Sequence, residues 1–176
     1  DSSKTPSYAY ALSLIPSLEV YIIHLVRDAR AVVYSWQRKI RGKELGYNDF
    51  QVERKLGKVS WRWNTWNLML EILKKQFPKR YMILRYEELI SQPKFFIEEI
   101  ISLIEEEVEF LPFLSDSEVN ISVNHTIWGN PNRSKTGPVN LYLDNDWKTK
   151  MQFSDKAVVT GLTWPLLYKY GYIISR

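Results

Sequence analysis

An arginine and a hydroxyl on the two sides of a tight chain corner can share one phosphate. The guanidinium gives a charged fork of donors and the hydroxyl gives one more. Arg27 and Ser35 fit that description, eight positions apart with Asp28 at the corner between them. Far downstream, Arg133, Lys135 and the amide of Gly137 form a compact cationic cluster suited to a phosphate. Plainer readings stand beside both. Arg27 paired with a carboxylate at a sheet rim, Ser35 as a small packing residue, and the later cluster as a solvated basic loop account for the same residues.

The elements that must position Arg27 and Ser35 are legible in the run YIIHLVRDARAVVYSW, residues 21–36. Residues 21–26 are apolar, rich in β-branched side chains and without alternation, which predicts a strand buried on both faces of a parallel sheet. Asp28 is a good N-cap, and residues 29–39 contain no Gly or Pro and predict a helix. In open α/β sheets ligands sit off the carboxyl ends of strands, where helix N-termini offer free amides to anions. Arg27 projects from that end. Ser35 falls on nearly the same side of the helix as Asp28, about two turns on.

Elsewhere, Pro6 allows a short helix over residues 8–15 that stops at Pro16. Residues 38–47 are basic, contain Gly and read as an exposed loop. Residues 48–77 carry the strongest periodicity. Val52, Leu56, Val59, Trp63, Trp66, Leu70 and Leu73 form one stripe of a long amphipathic helix, a core face with Gly57 as its weak point. Residues 81–86 predict a second buried strand, and Pro93 fits the first turn of a helix over residues 94–106. The alternation makes βαβ units with a parallel sheet the economical architecture. Residues 107–150, rich in Asn, Ser and Pro, read as irregular, and residues 155–170 as a docking helix capped near Gly171. Pro165 inside it implies a kink or a late start.

Composition narrows the function classes. Hydrophobic residues make up 45% of the chain, charged residues 25% and aromatics 14%, which is globular and argues against disorder. The net charge of +4 is scattered among acids and points only weakly to an anionic ligand. No basic stripe interleaved with aromatics suits nucleic acid. Without Cys and with two His, disulfides and thiolate metal sites are excluded, and a zinc site would need carboxylates. No apolar run approaches a membrane span and nothing resembles a signal peptide, so the expected compartment is cytoplasmic, with no membrane partner.

Gly129 to Thr136 nearly spells a phosphate loop, with Ser134 where the second Gly should stand. Gly137-Pro138 follow at once and stop a helix from starting at Lys135, so a nucleoside-triphosphatase loop is rejected.

Four runs in order, SSKTP, IHLVRDARAVVYSW, LRYEELISQP and NHTIWGNPNRSKTGP…LDNDWK, resemble the sulfotransferases that use 3′-phosphoadenosine 5′-phosphosulfate (PAPS). The likeness is nearest to bacterial-type relatives of the carbohydrate sulfotransferases. It implies an α/β fold with a P-loop-NTPase-like parallel sheet flanked by helices. It also implies a single domain over residues 1–176 that lacks the family's N-terminal strand–loop–helix unit, where the 5′-phosphosulfate sits. The chain alone is therefore expected to bind the 3′-phosphate end without turning over.

By that resemblance Arg27 and Ser35 match the pair on the 3′-phosphate, and Tyr86 matches a tyrosine near the adenine. Arg133, Lys135 and Gly137 match the late loop that closes on the same phosphate. Lys4 matches a lysine beside the reacting centre, where an ammonium stabilises charge on the departing oxygen. The catalytic His that the cytosolic relatives place just after that lysine is replaced here by Pro6. His125 matches a recurrent family His, as an acid/base or a hydrogen-bonding group, while His24, inside the strand, reads as structural. The implied function is transfer of a sulfuryl group to a small-molecule or glycan acceptor, through a hydroxyl or amine, leaving 3′-phosphoadenosine 5′-phosphate (PAP). Two alternatives remain: a nucleoside or nucleotide kinase of the same topology, and a non-catalytic PAP-binding relative.

Overall fold

The structure, a computed structural model, describes residues 5–41, 49–122 and 136–173. Its elements begin with α1 (Pro6–Ser13), β1 (Ile22–Val26), α2 (Ala29–Arg41), α3 (Asp49–Gln76) and β2 (Tyr81–Arg85). There follow α4 (Tyr86–Ser91), α5 (Pro93–Leu103), β3 (Glu118–Ile121), β4 (Gly137–Asn140), α6 (Asp146–Lys150) and α7 (Phe153–Lys169). The chain falls into two compact units, residues 1–85 with 144–176, and residues 86–143. Among the described residues no helix is long and apolar enough to cross a membrane.

In the first unit β1 and β2 pair in parallel, with Ile22 opposite Tyr81 and Val26 opposite Arg85. Parallel strands need a long crossover, and α2 and α3 supply it, so this is the βαβ unit that the alternation predicts. Because the strands run the same way, their carboxyl ends emerge together, carrying Arg85 and, one residue beyond β1, Arg27.

One face of β1 is sealed: Ile22, His24 and Val26 are buried. They lie against helices whose buried residues include Val33, Leu56, Val59, Trp63, Val159 and Leu167. The expectation of strands buried on both faces does not hold among the described residues. Leu25 is 47% exposed and Ile83, on the other face beside the buried His24, is 37% exposed.

The periodic stripe of α3 is mostly core, with one correction. Trp66 is exposed, and the buried line runs instead through Ser60, Trp63 and Asn67. Trp66 turns to the surface beside Arg62, whose guanidinium also lies over the Trp36 ring at 4.9 Å. Helix α2 continues to Arg41, so residues 38–41 of the expected loop are helical. Its remainder, residues 42–47, lies outside the described residues.

Helix α7 starts at Phe153, before the expected start, and runs through Pro165. Proline removes one ladder bond there. The nearby Leu162 carbonyl accepts a hydrogen bond from Asn64 Nδ2 at 2.7 Å. The helix ends in a Schellman motif: the Tyr172 amide donates to the Leu167 carbonyl and the Gly171 amide to the Tyr168 carbonyl. Gly171 holds φ at +73°, the left-handed geometry that such a cap requires.

The second unit corrects the view of residues 107–150 as irregular. Strands β3 and β4 pair there antiparallel, Ile121 opposite Gly137 and Glu118 opposite Asn140. In the first unit, α6 occupies residues 146–150 of the same stretch. Strand β2 ends at Arg85 rather than at residue 86, and Tyr86 opens α4, so Glu87 and Glu88 are helical.

Candidate functional site

The end of β1 is built by side chains that arrive from far along the chain. Asp28 caps α2 as its type and place predict. Its Oδ1 accepts from the Arg30 amide at 2.8 Å, and its carbonyl accepts from the Val32 amide at 3.0 Å. The Arg30 guanidinium closes on the same carboxylate, Nη2 to Oδ2 at 2.7 Å. The buried Asp28 charge is therefore paired, as a buried charge must be. This arrangement corrects one expectation. The Arg30 amide is occupied by the chain's own carboxylate and is not offered to an anion.

Arg27 follows β1 and precedes this cap. Its Nη2 donates to the Asp144 carbonyl at 3.2 Å and lies 3.8 Å from Asp144 Oδ2, with 23% of the side chain exposed. The rim ion pair is thus present, in a loose form. At 3.8 Å the carboxylate is beyond hydrogen-bond range, and a guanidinium carries five N–H donors. The Arg27 carbonyl accepts from Trp63 Nε1 at 3.0 Å. Just before it, the Val26 carbonyl accepts from the Tyr172 hydroxyl at 3.1 Å.

Tyr172 makes further contacts here. Its carbonyl accepts from Arg30 Nη2 at 3.2 Å, and the Arg85 guanidinium stacks 4.5 Å above its ring. Arg30 in turn lies 4.7 Å over the ring of Trp147. Three arginines, Arg27, Arg30 and Arg85, thus belong to the carboxyl end of the parallel sheet and the first turn of α2.

Beneath this end lies a buried polar network. Asn67 Nδ2 donates to the Trp63 carbonyl at 2.7 Å, so Asn67 Oδ1 is its accepting end. His24 Nε2 therefore carries the proton and donates to Oδ1 at 2.7 Å, leaving Nδ1 to accept from the Tyr81 hydroxyl. Burial presses the His24 pKa below its usual 6.5, with the Asn67 bond pulling the other way. Burial also raises the Tyr81 and Tyr170 hydroxyls far above the ordinary phenol range, and Glu71 adds to both. For Glu71 itself burial works upward. The hydrogen bonds from Lys169 and Tyr170 outweigh it and hold the carboxyl below its usual range. A neutral imidazole with both nitrogens engaged is a structural group, as its place in the strand predicts.

Among the residues singled out by sequence, Arg27 and Ser35 belong to the first unit. Ser35 is half-buried on α2, two turns from the Asp28 cap. Tyr86 and Gly137 belong to the second unit. Tyr86 is half-buried at the start of α4, and Gly137 opens β4 with φ at +89°, a conformation that favours glycine. Lys4, His125, Arg133 and Lys135 lie outside the described residues, as does nearly all of the near-miss phosphate loop.

An open cleft in the second unit is lined by Lys94, Glu98, Glu106 and Phe110, and none of the residues singled out lines it. Sequence reasoning missed Trp63, Asp144 and Tyr172 as partners of the β1 end. The signals were present but silent on partnership: Trp63 lies on the α3 stripe, Asp144 in the LDNDWK run, and Tyr172 just past the Gly171 cap.

Comparison with known proteins adds one finding. A family model described as "Sulfotransferase domain" matches residues 7–161, a span that includes each residue singled out except Lys4. No curated protein and no solved structure matches the chain.

Proposed function

The chain belongs to the sulfotransferase domain family, and from that premise we propose that it serves the transfer of a sulfuryl group from PAPS to a hydroxyl or amine acceptor, a small molecule or a glycan. The acceptor heteroatom attacks sulfur in line, the bond from sulfur to the phosphate oxygen breaks, PAP departs, and the acceptor proton passes to a general base. Alignment and charge stabilisation supply most of the rate in such a step.

The observation that carries the proposal is Arg27. It emerges at the carboxyl end of a parallel strand, where open α/β sheets bind their ligands. Its guanidinium is partly exposed, and its fork suits a phosphate better than a lysine would. Arg27 takes the 3′-phosphate of the donor, with Ser35 adding a hydroxyl. The family resemblance assigns Arg133, Lys135 and the Gly137 amide to the same phosphate and Tyr86 to the adenine. Lys4 stabilises the departing oxygen, and His125 serves as acid/base or hydrogen-bonding partner. Family membership sets the kinase reading aside.

The test is a turnover assay with sulfur-labelled PAPS on the protein that carries this domain. Label should pass to an acceptor hydroxyl or amine, with carbohydrates tried first. A protein that binds PAP yet transfers label to no acceptor would leave the non-catalytic relative as the reading.

A further inference from the structure

We propose that Trp63 and Tyr172 are positioning residues that aim Arg27, and that they set donor affinity without touching the donor. The inference rests on the assignment of Arg27 to the donor phosphate. The direction of a side chain from its backbone is fixed by the two peptide planes on either side of its Cα, because φ turns against the first plane and ψ against the second. For Arg27 those planes carry the carbonyls of Val26 and of Arg27 itself. Each is held by a side chain from outside the strand: Tyr172 Oη on the Val26 carbonyl at 3.1 Å, and Trp63 Nε1 on the Arg27 carbonyl at 3.0 Å.

Each donor is itself held. Trp63 is buried in α3, and its own carbonyl accepts from Asn67, which is tied to His24. Tyr172 is placed by the Schellman cap of α7, gripped at its carbonyl by Arg30 and covered by Arg85. At the far end of the side chain, the Asp144 carbonyl takes one Nη2 hydrogen. A guanidinium fixed at its root and steadied at its tip loses less freedom when a phosphate arrives, which is how preorganisation raises affinity.

The test is PAP binding by calorimetry to the wild-type chain and to Tyr172→Phe, Trp63→Phe, Arg27→Ala and the two double variants with Arg27→Ala. Each single clamp variant should weaken PAP binding by about three- to tenfold, the range that one neutral hydrogen bond is worth. In the Arg27→Ala background the same changes should cost nothing further, because their effect passes through Arg27. Equal losses in both backgrounds mean a merely structural role and overturn the proposal.

Tyr172→Phe removes a single oxygen, so it decides the matter if Trp63→Phe fails to fold. A second readout needs no ligand. The order parameter of the Arg27 Nε–H, from nitrogen-15 relaxation, should fall in Tyr172→Phe, and an unchanged value overturns the clamp. Wild-type chain that binds PAP no better than Arg27→Ala sinks the donor-site assignment and the proposal together. Binding lost in Arg27→Ala but kept in both clamp variants sinks the clamp alone.

Discussion

Burying a histidine in its neutral form ties stability to pH in one direction. His24 has a folded-state pKa below 6.5, so as pH falls the unfolded chain takes up the proton first. Its contribution is complete above 6.5 and is lost as the pH drops beneath that value. Denaturant unfolding at about pH 7.5 and about pH 5.5 should show the loss, and a His24→Gln variant should show less of it. The same loss in both proteins would remove His24 as the titrating group. At this scale the sequence disclosed the residues that end elements. Arg27 and Asp28 break an apolar run, and Asp28 caps the helix that follows. It did not disclose Asn67, which reads as a polar interruption of the α3 stripe. A buried imidazole requires two polar partners, and that demand becomes visible only when β1 and α3 are in contact.

Glycine shows the element scale well, because one substitution has opposite signs at two places. Gly57 lies within α3, and a Cβ there would meet nothing within 4 Å. Gly57→Ala should therefore stabilise the chain by about 0.5–1 kcal/mol through helix propensity. Gly171 sits at φ +73° in the cap of α7, where an L side chain is strained. Gly171→Ala should destabilise by about 1 kcal/mol and disturb the seat of Tyr172. Thermal unfolding of both variants checks the pair, and shifts of the same sign would contradict it. Long periodic helices and β-branched runs were legible because their patterns are local. The β3–β4 pair was not. Its strands, EVNI and GPVN, are four residues each, the second opens with Gly-Pro, and they meet only through pairing across sixteen positions or more (Ile121 with Gly137).

For the whole molecule, the βαβ unit and the family were readable from four ordered runs, and the family match spans most of the chain. What those runs left open was the set of partners gathered at the end of β1. Asp144 and Tyr172 follow Arg27 by more than a hundred residues, and α7 must dock before Tyr172 is in place. That docking rests on Val159 and Leu167, both fully buried. Leu167→Ala should cost about 2–5 kcal/mol, the usual range for a buried leucine. Chemical denaturation checks it, and a loss below about 1 kcal/mol would show that α7 does not hold the core as its burial implies.

The claim on which the functional account turns is that Arg27 holds the 3′-phosphate of the donor. Calorimetric titration of PAP into the wild-type chain and into Arg27→Ala tests it directly. The substitution is expected to weaken binding by at least about 1.5 kcal/mol, the lower range for a hydrogen bond to a charged group. Equal affinity in the two proteins would contradict it and remove Arg27 from the site.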